Sequence, residues 1–308
     1  MSLIQYFLAN GPSGFGYGST AEEVTAGLSL AGKTMLVTGC NSGLGLEAMR
    51  VLSLRGARVV GTARTFEKAR DACVAVGANN VALACELSDP ASVRACVANV
   101  MQLGIKLDAL ICNAGIMALP RLEKGHGFEL QFFTNHIGHF MLVTGLLPQL
   151  TEQGRVVMLS SAAHAMAPRA GIEFDNLAGE KSYSAWMAYG QSKLANMLFA
   201  GELARRFAGT AKTANAVHPG VIKTNLSRHM NPIATALFGV AGPLFLKNAA
   251  QGAATGVYAA AHPDAASLSG AYFADCNVAK ARADAYDAKL AGRLWDASKK
   301  IVAQLPAA

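Results

Sequence analysis

Tyr189-Gly190-Gln191-Ser192-Lys193 places a proton donor and a cation one helical turn apart. The run from Ala185 to Arg206 is compatible with a helix, which sets positions i and i+4 on one face. A phenol is a weak acid, with an ordinary pKa of about 10. An ammonium held ~4 Å away at an effective dielectric of ~20 favours the phenolate by roughly 4 kcal/mol, or about three pKa units. That brings a tyrosine into range for general acid–base work near neutral pH. The spacing by itself is common on helix surfaces, so the chemistry depends on what else the chain supplies.

Upstream, Thr34 to Thr38 is a short apolar run rich in β-formers, followed by Gly39-Cys40-Asn41-Ser42-Gly43-Leu44-Gly45 and a helical pattern from Leu46 to Leu54. Strand, glycine turn and helix in that order are the context in which a glycine motif reads as nucleotide-binding rather than as a structural turn alone. Glycines let the backbone approach a pyrophosphate, and the helix N-terminus adds N–H donors and a favourable dipole. The spacing, G-x-x-x-G-x-G, differs from the G-x-G-x-x-G fingerprint.

Taken together, Thr38-Gly39-x-x-x-Gly43-x-Gly45 and Tyr189-x-x-x-Lys193 resemble the short-chain dehydrogenase/reductase family over nearly the whole chain. Cys112-Asn113-Ala114-Gly115 stands where the family has Asn-Asn-Ala-Gly, and Asn135, Ser161 and His218-Pro219-Gly220 follow in family order. The segments Asn135-His-Ile-Gly-His-Phe140 and Tyr189-Gly-Gln-Ser-Lys-Leu-Ala-Asn196 resemble the retinol-dehydrogenase-type branch. Within it, Pro12-Ser-Gly-Phe-Gly16 and Ser19-Thr-Ala-Glu-Glu-Val24 resemble plant chloroplast members associated with the inner-envelope protein translocon.

The resemblance implies roles. Tyr189 donates the proton to the substrate oxygen, Lys193 holds the nicotinamide ribose and depresses the Tyr189 pKa, Ser161 orients the carbonyl, and Asn135 anchors a water leading from Lys193 to solvent. Gly39, Asn41, Ser42, Gly43, Leu44 and Gly45 hold the cofactor phosphates, and Asn113, Ala114 and Gly115 line its edge. Pro219, Gly220, Val221, Ile222 and Thr224 cover the nicotinamide. After the third strand, relatives have aspartate and a hydrophobic residue; here the pair is Glu86-Leu87, carried over with the Leu87 backbone as the firmer contact at the adenine end. The second strand ends Val59-Val60-Gly61-Thr62-Ala63-Arg64, without the acid that NAD enzymes place against the ribose 2′-hydroxyl. A guanidinium at Arg64 suits a 2′-phosphate, so the expected cofactor is NADPH/NADP+.

Composition bounds the rest. At 308 residues, 52% hydrophobic and only 15% charged, the chain has the makings of an extensive core and no long disordered tract. The net charge of +7 is spread along the chain rather than in blocks, which argues against nucleic acid as a partner. Cys40, Cys73, Cys85, Cys96, Cys112 and Cys276 show no C-x-x-C spacing and read as free thiols in a reducing compartment, cytoplasmic or organellar. The apolar opening from Leu3 to Ala9 is too short for a membrane span or an ordinary signal peptide. His136, His139, His164 and His218 sit beside the motifs, but no pair has helical metal spacing with a third ligand, so structural roles are expected.

Strands are expected at 34–38, 58–63, 81–85, 108–112, 155–160, 213–218 and 271–273, and helices at 20–27, 44–55, 65–76, 90–102, 127–150, 185–208, 248–261 and 284–303. Ser19/Thr20 before Glu22/Glu23 signals a capping box, and Asp89-Pro90 a helix start. The alternation implies an α/β fold with a parallel sheet covered on both faces; the resemblance implies seven strands in a doubly wound, Rossmann-type order. We read residues 1–30 as an N-terminal extension and 31–308 as a single catalytic domain.

Residues 225–246 occupy the position of the family's variable substrate lid, and Ile233, Leu237, Phe238, Val240, Leu244 and Phe245 make it apolar. With Met117, Met166, Tyr183 and Met187 as further pocket candidates, the expected substrate is a small lipophilic carbonyl or alcohol. The first functional reading is therefore an NADPH-dependent carbonyl reductase, reversible in the alcohol direction. The second is an NADP(H)-binding redox sensor or regulatory subunit of an organellar or membrane assembly. A basic, amphipathic C-terminal helix carrying Trp295 is the feature on which a calmodulin or membrane contact would rest; docking of that helix on its own domain is the preferred reading. A homodimer is a further candidate assembly.

Overall fold

The computed structural model describes residues 9–222 and 246–306. The apolar alternation within the strands explains the layering. In β1 (Thr34–Thr38), Leu36 points to one face of the sheet while Met35 and Val37 point to the other. The same division recurs in β4 (Leu107–Cys112), where Leu110 opposes Ala109 and Ile111. A strand buried on both faces needs apolar residues at every position, as a parallel sheet between helices does.

The remaining main-sheet strands are β2 (Arg58–Ala63), β3 (Val81–Ala84), β7 (Leu150–Leu159), β8 (Thr213–His218), β9 (Tyr272–Ala274) and β10 (Asn277–Val278); β5 (Lys124–Gly125) and β6 (Phe128–Glu129) form a separate small hairpin. The main sheet runs β10-β9-β8-β7-β4-β1-β2-β3. All its neighbours are parallel except β10, which turns back antiparallel on β9. The expected seven strands are therefore eight. The added edge is a two-residue return after Asp275 and Cys276, both at positive φ, and Asn277 and Val278 carry too short a pattern to be read as a strand.

One face is covered by α3 (Pro90–Gln102), α4 (Leu130–Phe132), α5 (His139–Leu146), α6 (Ala185–Arg206) and α8 (Ala288–Gln304); the other by α1 (Gly43–Leu54), α2 (Phe66–Val76) and α7 (Ala249–Ala261). Asp89 caps α3 through the Ala91 N–H at 3.0 Å with Pro90 in the first turn, as expected. The helix expected at 127–150 is instead the β5–β6 hairpin, α4, a π-helical turn over Phe133–Gly138, α5 and a 3-10 turn over Leu147–Gln149. The π-turn sits where Gly138 packs against Leu87; a Cβ there would overlap the Leu87 carbonyl. The helix expected at 284–303 begins at Ala288, because the Asp287 carboxylate caps the Lys289 and Leu290 N–H groups.

The helix expected at 20–27 contracts to a 3-10 turn, Glu23–Thr25, although Thr20 and Glu23 do form the reciprocal capping pair. This segment is bound to the body of the protein. Ala21 N donates to Ala250 O at 2.8 Å, Asn277 bridges Ser13 and Phe15, and the Phe15 ring packs edge-on against Tyr258 of α7. The apolar stripe of α8 is also used internally: Leu294, Trp295 and Ile301 are buried, as is Leu305 just past the helix end, and the Arg206 guanidinium lies 3.8 Å over the Trp295 ring. Among the described residues no helix is long and apolar enough to cross a membrane.

Candidate active site

Strand order reverses between β1 and β4, and a crevice opens at their carboxyl ends, the place where open α/β sheets bind ligands. Leu44, Asn113, Leu159, Pro219 and Gly252 line a cleft there. The first glycine turn is built for close approach. A Cβ on Gly45 would overlap the Gly39 carbonyl and come 2.6 Å from Asn113 Nδ2. Asn41, Ser42 and Gly43 are exposed, and the Ser42 hydroxyl does not cap α1, so the first N–H groups of that helix face the crevice without a side-chain acceptor. A dinucleotide's phosphates fit this cradle. Thr38 supports it from behind: its hydroxyl accepts the Ala114 N–H at 2.9 Å, and its carbonyl accepts Asn113 Nδ2 at 2.8 Å.

Farther along the crevice, α6 presents Tyr189 and Lys193, both buried, beside Ser161 at the end of β7. Three bonds hold α6 to that strand end. Lys193 Nζ and Asn196 Nδ2 both donate to the Leu159 carbonyl, at 3.1 and 3.0 Å, and Ser160 Oγ donates to the Lys193 carbonyl at 2.9 Å. Gly190 permits the approach: a Cβ there would stand 2.6 Å from Ala163 O and 2.7 Å from Ala167 N, in the turn that follows Ser161.

Asn135, fully buried in the π-turn, joins the two halves. Its side chain pairs with the Ile116 backbone in both directions (2.8 and 2.9 Å) and donates to Ser192 Oγ at 2.9 Å; Ser192 in turn donates to the Tyr189 carbonyl at 2.7 Å. The point where a Gly115 Cβ would sit is 2.9 Å from Asn135 Oδ1 and 3.5 Å from Lys193 Nζ. Asn135, Gly115, Ser161, Tyr189 and Lys193, far apart in the chain, thus converge at one end of the sheet.

Burial dominates the electrostatics here. It raises the Tyr189 phenol to about 12, with the Ser161 hydroxyl pulling the other way. It lowers the Lys193 ammonium to about 8. The expected depression of Tyr189 by Lys193 is therefore reversed in the protein alone. The ammonium lies 5.6 Å from the ring centroid and is bonded to the Leu159 carbonyl, and loss of water from the phenolate outweighs its attraction.

Other expected residues are placed less simply. Arg64 is exposed and makes no hydrogen bond or ion pair among the described residues. The Glu86 carboxylate accepts from Ser88 N (3.1 Å) and Ser88 Oγ (2.9 Å) in its own loop. The Leu87 side chain is buried. Pro219 lines the cleft just after β8, Gly220, Val221 and Ile222 follow it in the chain, and Ile222 pairs with Lys247. Thr224 and the lid residues Ile233, Leu237, Phe238, Val240, Leu244 and Phe245 lie outside the described residues. Tyr183 and Met187 line a pocket with Glu173, Asn176 and Gln191, and the Tyr183 hydroxyl donates to Leu119 O at 2.6 Å and accepts from Gln131. Met166 and Met187 are exposed, and Trp186 stands edge-on to Tyr189 at 6.2 Å.

Each flanking histidine has a protein partner. His136 meets Ser298 of α8, His139 meets Thr38 and the Asn135 carbonyl, His164 meets the Ser161 carbonyl, and His218 accepts from Ala162 N. No group of three potential ligands assembles a metal site among the described residues, and all six cysteines are free and buried. Residues that the motifs did not single out for the site include Thr38 as a bridge, Ser160 and Ser192. Ser192 lies inside the Tyr189–Lys193 segment, and its one-turn spacing from Tyr189 was the available signal.

Residues 33–233 match the short chain dehydrogenase family, and the chain belongs to it. It is 42% identical over 310 residues to short-chain dehydrogenase TIC 32 A, chloroplastic, of Brassica napus, covering 96% of this chain and 97% of that one. To retinol dehydrogenase 14 of Mus musculus it is 39% identical over 290 residues, covering 88% and 86%. Among solved structures, a Mycobacterium paratuberculosis protein superposes with a TM-score of 0.75 at 35% identity, covering 91% of this chain and 97% of that chain. A short chain dehydrogenase from Burkholderia cenocepacia in complex with NADP superposes with a TM-score of 0.65 at 25% identity, covering 79% and 96%. The retinol-dehydrogenase-type branch expected from Asn135–Phe140 and Tyr189–Asn196 is where these curated relatives lie.

Proposed function

We propose that this oxidoreductase reduces lipophilic aldehydes or ketones with NADPH, and runs in reverse on the alcohols. The convergence of buried Tyr189 and Lys193 with Ser161 at the crevice mouth carries the reading. When bound, the nicotinamide dinucleotide supplies the hydride. Tyr189 donates its phenolic proton to the carbonyl oxygen. A phenol raised to about 12 keeps that proton at neutral pH until a basic oxygen appears before it. Ser161 orients the same oxygen with its hydroxyl, and Lys193, still mostly a cation at pH 7 with a pKa of about 8, favours the tyrosinate left behind. Asn135 holds Ser192 and Ile116 so that the helix and the Gly115 loop keep their spacing.

For the cofactor, the glycine cradle suits the pyrophosphate and the unengaged Arg64 guanidinium suits a 2′-phosphate; the NADP bound by the Burkholderia cenocepacia relative supports the same choice. For the substrate, Met166, Trp186, Met187 and Val221 are 50%, 37%, 37% and 51% exposed around the site, an apolar rim that favours a hydrophobic carbonyl compound over a short polar one. We take residues 31–308 as one catalytic domain, with 225–246 as its lid. The sensor reading loses its main support in the docking of the α8 apolar face on the chain's own core.

The test is Tyr189→Phe, which keeps the ring and removes the proton donor. Measured by NADPH absorbance across a carbonyl panel, turnover falls by at least ~10²–10⁴ while NADPH still binds. Retention of more than about a tenth of turnover sinks the assignment.

A further inference from the structure

Two histidines three residues apart, His136 in the π-turn and His139 at the start of α5, are used in opposite ways. His136 faces α8, where Nε2 meets Ser298 Oγ at 2.9 Å. His139, one turn on, faces the site. Its Nδ1 lies 2.9 Å from the Asn135 carbonyl, and its Nε2 lies 2.9 Å from Thr38 Oγ1. These contacts fix the proton positions. A carbonyl oxygen only accepts, so Nδ1 carries the hydrogen. The neutral ring then has a bare Nε2, which accepts from the Thr38 hydroxyl. That hydroxyl is free to donate there because its oxygen already accepts the Ala114 N–H at 2.9 Å. Every donor in the chain Ala114 N–H, Thr38 O–H, His139 Nδ1–H has one acceptor, and the chain ends on the Asn135 carbonyl.

Both ends of this chain touch the reacting centre. Ala114 belongs to the loop whose next residue, Gly115, borders Lys193 Nζ and Asn135 Oδ1. Asn135 is bonded through Ser192 to the backbone of Tyr189. The π-turn interrupts ordinary helical pairing at this point, and π-bulges recur at functional sites. We infer that His139 is a positioning residue: as its neutral Nδ1–H tautomer it ties the Asn135 carbonyl to Thr38, and so holds the cofactor-side loop and the Tyr189/Lys193 helix in one register. This rests on the carbonyl-reductase reading above for its kinetic consequence, but not for its structural one. Burial lowers His139 to about 4, and the Lys193 ammonium adds to it against the raising contact of the Asn135 carbonyl; the buried His136 imidazole is the other ionisable group beside it, so a cationic His139 is disfavoured.

The first arm of the test needs no substrate. Nitrogen-15 NMR of histidine-labelled protein, with His139 assigned by its loss in His139→Asn, shows a protonated Nδ1 and a bare Nε2, unchanged between about pH 6 and 8. An Nε2–H tautomer or a cation at His139 overturns the inference, whatever the enzyme reduces. The second arm is kinetic. Asparagine places an amide N–H close to the Nδ1 position and keeps the bond to Asn135, whereas phenylalanine removes both bonds. His139→Phe lowers kcat by about tenfold or more with the carbonyl KM changed less than about threefold, and His139→Asn recovers most of that loss. Thr38→Val against Thr38→Ser draws the same distinction from the other end if His139→Phe does not fold. His136→Asn removes an equally buried histidine from the adjoining π-turn and lowers stability while leaving kcat within about twofold. Equal losses in His139→Phe and His139→Asn, no loss in either, or a His136→Asn loss matching His139→Phe each overturn the positioning role. A wild type inactive on every carbonyl tested fails the functional reading instead, and leaves the tautomer to decide this one.

Discussion

Gly190→Ala is a small change with a consequence that can be worked from the packing. The added methyl carbon would meet Ala163 O at 2.6 Å, Ala167 N at 2.7 Å and Met166 C at 2.8 Å. All three are backbone atoms, so no side chain can swing away. Ordinary contact begins at 3.4 Å, and 3.4 − 2.6 gives a displacement of at least 0.8 Å between α6 and the turn after Ser161. Overpacking of this kind costs about 1–3 kcal/mol, and the better helix propensity of alanine offsets roughly 1 kcal/mol of it. Stability therefore falls by only about 0–2 kcal/mol. Catalysis is less tolerant, because the shift separates Tyr189 from Ser161, and a misplacement of about 1 Å costs up to ~10² in rate. Gly201→Ala is the internal control: it lies on the same helix with no atom within 4 Å of the added carbon, and it gains about 0.5–1 kcal/mol without touching turnover. Urea melts and kcat for an aromatic or aliphatic aldehyde, measured side by side on both variants, decide the matter. If Gly190→Ala keeps more than about half of wild-type kcat while folding normally, close packing of α6 on the turn is not what sets the acid.

Two further outcomes follow from other parts of the site. His136 and His139 are lowered by burial to about 3 and about 4, against about 6.5 in the unfolded chain, so between those limits the unfolded state binds protons that the folded state refuses. Stability from these groups is full above about pH 6.5 and is lost as pH falls, by up to roughly 2 kcal/mol for each histidine at pH 5; urea midpoints that do not change between about pH 7 and pH 5 contradict the buried, neutral assignment. Arg64→Ala weakens NADPH by roughly tenfold or more and leaves NADH nearly unchanged; titrations in which both cofactors weaken equally show that Arg64 does not read a 2′-phosphate.

Much of the fold was legible because strand burial and helix amphipathicity are written in single residues. The runs at 34–38, 58–63 and 213–218 are strands over those same spans. Local patterns failed where neighbours decide the geometry. The apolar stretch at 127–150 is rich enough in Leu and Phe to suggest one helix, yet Gly138 against Leu87 and the buried Asn135 side chain favour a π-turn that no local spacing announces. Thr20 and Glu23 formed their cap, but the chain left the helix at once, with Gly27 at positive φ.

The residue types that do chemistry were determined by sequence alone: a phenol and an ammonium one turn apart, a serine at a strand end, and a glycine turn between strand and helix. Such motifs are legible because they depend on spacing within a single element. Their energetic state was decided by tertiary packing. Tyr189 and Lys193 share a face as their spacing requires, but the depth at which α6 docks raises one pKa and lowers the other, reversing the electrostatic balance expected from proximity. Likewise the role of Asn135 and the tautomer of His139 depend on partners 57 and 101 residues away, Ser192 and Thr38. Desolvation and long-range hydrogen bonding are properties of the folded enclosure, and no periodicity along the chain encodes them.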